Sequence, residues 1–170
     1  CNKQHEEIFS TLFKLVKDIL DIETIKFMMS QKDKHQNNVL HRLIINNDNE
    51  KALQDFLSVL PEIFSTDELK QFLNETEGKT KRNALCLISI YNKNAKVMEE
   101  FWKFTNGNLN PGDLKLMLTQ TDIQGFNAIH LAARFNTKTF LESLIDLIKE
   151  TWGEDELKEV IESRNEDWSY

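Results

Sequence analysis

The sequence predicts an all-α chain built from stacked helical repeats. Only 2 of the 170 residues are proline and 5 are glycine, so few residues interrupt helix formation. Apolar residues within the predicted helices recur at three- and four-residue spacing, as amphipathic helices require. A short segment also recurs four times at a near-constant step, which is the signature of a repeat protein.

The recurring segment begins at Ile25, Leu69, Leu114 and Leu157, and in each copy a lysine follows the first residue. A second segment, which begins with asparagine, keeps the same period. It reads Asn38-Val39-Leu40-His41, Asn83-Ala84-Leu85-Cys86 and Asn127-Ala128-Ile129-His130. Because both segments return together, the chain repeats one unit of about 44 residues.

Each asparagine of the second segment precedes a short apolar helix, whose first free N–H groups its side chain can bind. The pattern predicts these helices over 39–45, 84–91 and 128–135. Asparagines follow them at Asn46-Asn47, Asn92 and Asn136. Because asparagine tolerates the left-handed conformation, we expect it there as the chain leaves each helix.

A longer helix should follow in each unit. In the first complete copy it runs from Glu50 to Leu60, and Pro61 is expected to end it. The same apolar stripe returns in the last copy, where it begins at Phe140 and Leu141. The four methionines, at Met28, Met29, Met98 and Met117, fall at apolar helix positions and are expected to fill the core.

A third, short helix should complete each unit. Acidic residues open it at Asp67-Glu68 and at Glu154-Asp155-Glu156, where they favour the helix dipole. The copy between them opens with Pro111-Gly112-Asp113, which is also a helix-start signal. A polar turn then leads into the next asparagine-capped helix.

Units of this kind cannot bury their apolar faces alone, so they must stack into an α-solenoid. We interpret residues 1–170 as a single array. It comprises a partial repeat over 6–33, complete repeats over 34–77, 78–122 and 123–165, and the entry to a further repeat over 166–170. The chain starts at Cys1 rather than at methionine, and we expect it to be a fragment of a longer protein.

The segment from Asp122 to Arg134, Asp-Ile-Gln-Gly-Phe-Asn-Ala-Ile-His-Leu-Ala-Ala-Arg, resembles the ankyrin repeat signature. The resemblance implies that His41 and His130 are structural residues that join neighbouring turns through hydrogen bonds to backbone. Cys86 takes their place in the middle copy, which is therefore expected to be degenerate. Ankyrin units span about 33 residues and HEAT units about 40–47. We attribute the extra length here to the third helix, and HEAT-like stacking is the alternative.

Composition limits the function classes. Lys and Arg total 21 against 28 Asp and Glu, a net charge of -7, which disfavours nucleic acid as a partner. No apolar stretch approaches the ~20 residues that span a bilayer, so membrane insertion by this chain is not expected. The cysteines Cys1 and Cys86 form no disulfide framework, which favours an intracellular location, cytoplasmic or nuclear.

No catalytic constellation is recognisable. The chain has no Walker A, dinucleotide-binding or nucleophile-elbow motif, and its paired acidic residues lie on predicted polar helix faces. Its histidines and cysteines lack metal-ligand spacing. We therefore expect neither an enzyme nor a cofactor, metal or small-molecule substrate.

The ankyrin resemblance instead implies a protein-interaction module whose turn tips and inner helices form a concave, partner-binding face. Inner-helix positions expected to face the groove include Asn46 and Ser89. The predicted contact residues are Lys34, His35, Arg42, Lys79, Lys81, Arg82, Tyr91, Phe126, Arg134 and Phe135. The cations among them oppose few carboxylates in the sequence, so an acidic peptide or protein surface is the expected partner. Phe126 is expected to be exposed. For Phe135, exposure on the groove and packing under the next helix are equally expected.

Three alternatives stay open at this point. The array could be a structural spacer or scaffold segment of a larger protein, with no ligand of its own. It could contact nucleic acid through the basic strip, although its net charge opposes this. It could also self-associate through apolar repeat faces exposed at its ends.

Overall fold

A computed structural model describes residues 8–46 and 48–163. Within these residues the chain forms eleven α-helices and no strand, so the predicted all-α class is confirmed. In chain order the helices are α1 Ile8–Val16, α2 Ile22–Ser30, α3 Val39–Asn46, α4 Glu50–Ile63, α5 Thr66–Asn74, α6 Ala84–Tyr91, α7 Ala95–Asn108, α8 Pro111–Thr119, α9 Ala128–Phe135, α10 Lys138–Trp152 and α11 Glu154–Glu162.

The helices fall into three classes that repeat in the same order. The short inner helices α3, α6 and α9 pack against one another in sequence. The outer helices α1, α4, α7 and α10 form a second row, each packed on the next. The third helices are α2, α5, α8 and α11, and α5, α8 and α11 each pack on the outer helix of the same unit. The apolar core lies between the rows, and Phe56, Phe101 and Leu144 are fully buried at equivalent outer-helix positions.

The asparagines before the inner helices act as the sequence predicts. The side-chain oxygens of Asn38, Asn83 and Asn127 accept hydrogen bonds from backbone N–H groups in the first helical turn, at 3.0–3.1 Å. Ser65 and Glu68 cap a third helix reciprocally. These local bonds satisfy N–H groups that have no partner within the helix, and thereby set where each helix begins.

The left-handed conformation expected after the inner helices is not observed at Asn92 or Asn136, and Asn47 lies outside the described residues. Asn92 and Asn136 have φ angles of -96° and -112°, which are extended. Their side chains instead donate to backbone carbonyls at the end of the preceding inner helix. Asn136 bonds the Ser89 and Asn92 carbonyls at 3.0 and 2.8 Å, and Asn92 bonds that of Ile44 at 3.2 Å. These asparagines therefore join units, because helix-end carbonyls need donors.

The expectation that Pro61 ends its helix is wrong, because α4 continues to Ile63. The side chains of Ile63 and Phe64 are buried, and the Phe64 N–H donates to the Leu60 carbonyl at 2.8 Å. Pro61 is exposed and forfeits one backbone hydrogen bond close to the helix end. Burial of the last turn outweighs that loss.

Three of the four methionines lie in or against the core, as predicted, but Met28 is 57% exposed. Its equivalents Phe72 and Met117 are buried. Met28 belongs to the partial first unit, where the described residues include no inner helix that could cover it. The same pattern of burial therefore breaks down only at the edge of the array.

Candidate partner-binding surface

The turn tips before the inner helices are each built around one carboxylate. Asp33 accepts hydrogen bonds from the backbone N–H groups of His35 and Asn37, at 2.7 and 3.0 Å. Asp122 accepts in the same way from Gln124 and Phe126, at 2.9 and 3.1 Å. These carboxylates are therefore used to hold the tips.

The second tip has one more residue than the other two, and glutamate takes the place of aspartate. Glu77 accepts from the backbone N–H groups of Lys79 and Thr80, at 2.9 and 2.6 Å. Its longer side chain spans the larger turn. Burial opposes its ionisation, but the hydrogen bonds from Thr80 and Lys79 outweigh that effect and lower the pKa of Glu77.

The three tips stack into a continuous row. The Gly78 N–H donates to the His35 carbonyl at 3.4 Å, and the Ile123 N–H donates to the Thr80 carbonyl at 3.0 Å. One position in each tip takes a positive φ: Gln36 at 62°, Lys81 at 62° and Gly125 at 77°. Glycine adopts this conformation freely, whereas Gln36 and Lys81 are strained there.

His41 and His130 make the backbone contacts that the resemblance implies. Their Nε2 atoms lie 3.0 and 2.9 Å from the carbonyl oxygens of Glu75 and Ile161, at the ends of third helices. Their Nδ1 atoms accept from backbone N–H groups, so in each ring Nε2 is the donor. Burial lowers the pKa of His41 despite opposing hydrogen-bond and charge effects from Glu75.

Cys86 occupies the same position in the middle unit and is fully buried. Its burial raises the pKa of the thiol to about 12, which keeps it protonated. The neighbouring Asn83 side chain joins the inner and third helices instead, donating to the Met117 carbonyl at 2.8 Å and to Gln120 Oε1 at 2.9 Å. The middle unit therefore lacks the histidine contact but keeps the asparagine contact.

Two of the predicted contact residues are engaged in ion pairs. Arg82 places Nε and Nη2 each 2.9 Å from Oδ2 of Asp122, whose side chain is completely buried. Arg42 pairs with Asp33 in the same way at a more exposed site. Burial opposes ionisation of Asp33, but backbone hydrogen bonds and Arg42 lower its pKa to about 2. Sequence reasoning expected few carboxylates opposite the basic residues of this face, and the structure pairs both arginines with one.

The remaining basic residues among the predicted contacts are exposed on the row of tips and inner helices. Lys34, His35, Lys79 and Lys81 are exposed and form no ion pair with any described residue. The Arg134 guanidinium lies 5.5 Å from the ring centroid of Phe126 and 5.1 Å from that of Phe135.

The aromatic residues on this row differ in exposure. Tyr91 and Phe135 are 47% and 42% exposed, whereas Phe126 is half-buried against the core, contrary to expectation. Ser89, expected to face the groove, is fully buried. Ile123, a residue of the third tip that was not among the predicted contact residues, is 63% exposed. An apolar residue in an otherwise polar turn was the available signal.

Within 8–46 and 48–163, no cluster of three or more His, Cys, Asp or Glu side chains could hold a metal ion. None of the helices in these ranges combines the length and apolar character needed to cross a bilayer. No protein-family model, curated protein or solved structure matches the chain.

Proposed function

We propose that the chain is an ankyrin-like α-solenoid that serves as a non-catalytic protein-interaction module in the cytoplasm or nucleus. Its binding surface is the inner strip, which we define as residues 33–46, 77–91 and 122–135. The stacked inner and outer rows support this architecture, as do the hydrogen bonds that repeat from unit to unit. The third helix accounts for the long period.

The observation that carries the proposal is the charge of the inner strip. It contains three carboxylates, Asp33, Glu77 and Asp122, and all three are occupied by tip N–H groups or arginine. Four exposed cations on it, Lys34, Lys79, Lys81 and Arg134, have no carboxylate partner among the described residues. A chain with a net charge of -7 thus presents a positive surface here.

The exposed apolar groups define the partner further. Ile123, Tyr91 and Phe135 lie exposed on the inner strip, and the Phe135 ring contacts the Arg134 guanidinium. Aromatic residues and arginine dominate the binding energy of many interfaces, and complementary charge guides association. The expected ligand is therefore an acidic peptide segment that also carries apolar side chains, bound along the tips and inner helices.

The test is selection of peptides from a random displayed library on the native chain, followed by titration of the selected peptides. A reversal variant, Lys34→Glu/Lys79→Glu/Arg134→Glu, removes the positive charge of the inner strip. A matched control, Lys96→Glu/Lys103→Glu/Lys138→Glu, changes the net charge equally on outer helices. Circular dichroism should show equal helicity for all three proteins.

We expect acidic, apolar-containing peptides whose affinity the reversal variant lowers at least about tenfold, equivalent to 1.4 kcal/mol, while the control binds normally. Equal loss in both variants would show only a net-charge effect and contradict the assignment. If no peptide is selected, the spacer interpretation takes first place. Binding of generic DNA that weakens steeply with salt would instead favour nucleic-acid contact.

A further inference from the structure

An open cleft between the outer helices α7 and α10 contains two tryptophans. Its volume is about 580 Å³, which lies within the roughly 300–1,000 Å³ of typical ligand sites. Trp102 of α7 and Trp152 of α10 meet there edge to face, with ring centroids 5.6 Å apart. The Trp102 indole N–H also donates to Thr151 Oγ1 at 3.3 Å. This tryptophan cleft is lined by residues of α7, α10 and the start of α8, including Glu99, Trp102, Lys103, Glu150, Thr151 and Trp152, and it is separate from the inner strip.

The stacking of units does not require tryptophan at either position. The equivalent of Trp102 is Leu57 in α4, and the equivalent of Trp152 is Leu109. Leu57 and Leu109 are 2% and 8% exposed, so leucine is buried there without any indole. The two indoles are therefore a property of this pair of units rather than of the repeat.

The neighbouring groove, between α4 and α7, shows that a following unit leaves this side of the outer row open. That groove has a volume of about 240 Å³, and Gln54 and Leu57 are among its lining residues. It remains open although α10 packs on α7. Both walls of the tryptophan cleft are likewise present within the described residues. Its opening is therefore not a consequence of where the described residues end.

The charge of the tryptophan cleft also differs from that of the neighbouring groove. Glu99 and Glu150 line it from α7 and α10. Both are exposed and form no ion pair with any described residue. Lys103 lines both sites, but in the α4–α7 groove Glu100 balances it and the equivalent of Glu99 is the neutral Gln54. The tryptophan cleft alone thus carries an excess of negative charge.

We propose that the tryptophan cleft is a second binding site, which takes an arginine side chain of a basic protein segment. Among aromatic rings, indole attracts cations most strongly. A guanidinium can lie against such a ring while its N–H groups pair with carboxylates. Trp152 is half-buried and offers its ring to the ligand, whereas Trp102 is 3% exposed and supports it. Glu99 and Glu150 then pair with the guanidinium from the two walls.

The test begins with tryptophan fluorescence of the full chain, titrated with a capped peptide of alternating arginine and glycine. A Trp168→Phe background removes the third tryptophan, which lies outside the described residues, so the emission reports on the tryptophan cleft. We expect a saturable change in emission. The same peptide with citrulline in place of arginine should cause none, because it lacks the charge, and a lysine peptide should bind more weakly.

Variants locate the site, with affinities measured by isothermal titration calorimetry and helicity checked by circular dichroism. Glu99→Gln/Glu150→Gln should weaken binding of the arginine peptide at least about tenfold. A matched control, Glu142→Gln/Asp155→Asn, removes two exposed carboxylates outside the cleft and should leave binding unchanged. Trp152→Leu introduces the residue found at the equivalent Leu109 and should also weaken binding.

Several results would overturn the proposal. Equal weakening by the two carboxylate variants would show only an effect of net charge, and full affinity in Trp152→Leu would remove the indole from the site. A native chain that shows no saturable binding of the arginine peptide contradicts the site altogether. Equal affinity for the lysine peptide, or for tetramethylammonium chloride, would contradict the assignment of an arginine side chain.

Discussion

The ion pair between Arg82 and Asp122 provides the sharpest test of how the tips are held. The Asp122 side chain is completely buried and that of Arg82 is 15% exposed. Removing one partner of a buried pair costs about 3–5 kcal/mol, because the other charge is left without compensation. In Asp122→Asn the amide oxygen can still accept the tip N–H groups. We therefore expect the lower end, about 3 kcal/mol, or a fall in Tm of about 6–12 °C for a chain of this length.

The chain contains its own control. Asp33 holds an equivalent tip and pairs with Arg42, but these side chains are 28% and 43% exposed. Solvent screens such a pair, so Asp33→Asn should lower Tm much less. Adding Arg82→Met to Asp122→Asn should recover part of the lost stability, because no unpaired charge then remains. If thermal denaturation gives equal shifts for Asp33→Asn and Asp122→Asn, the burial argument is refuted.

Three further outcomes are expected. Gly125→Ala should destabilise the chain by about 1 kcal/mol in urea denaturation, because φ is positive there; Lys81→Gly, at the equivalent position, should not destabilise it. Burial lowers the pKa of His41, so below about pH 6.5 the unfolded chain binds more protons than the folded chain. The free energy of unfolding should therefore decrease as the pH is lowered through that range. Denaturation of His41→Gln at several pH values should show a weaker dependence. In a Cys1→Ser background, Cys86 should react with a thiol reagent only as the chain unfolds, since it is buried and its pKa is raised to about 12; rapid reaction of the native chain would contradict this.

Several parts of the fold follow from local signals. The inner helices at Ala84–Tyr91 and Ala128–Phe135 have the bounds that their asparagine caps predict. The third helices begin beside Asp67, Pro111 and Glu154, where acidic residues or proline mark a first turn. The capping and dipole interactions behind these signals join residues only three or four positions apart. The sequence alone therefore shows which residues take part in them.

The candidate surface was less accessible to such reasoning. The sequence identified a strip rich in cations, but not that Arg82 is bound to a carboxylate 40 residues further along. It placed Phe126 in a polar turn, whereas the side chain packs partly on the core. Both outcomes depend on which residues of successive units come into contact. No local sequence pattern encodes contacts between residues that lie so far apart in the chain.

By itself, the sequence determined the helical class, the period, the three helices of each unit and the places where most of them begin, because capping and apolar spacing are local properties. The tertiary structure decided which charged groups remain available and which apolar residues are covered. It extended α4 beyond Pro61 by burying Ile63, and it left Leu12 and Leu15 exposed where equivalent residues are buried. The physical reason is that burial and ion pairing depend on neighbours about one repeat away, and only stacking brings those neighbours into contact.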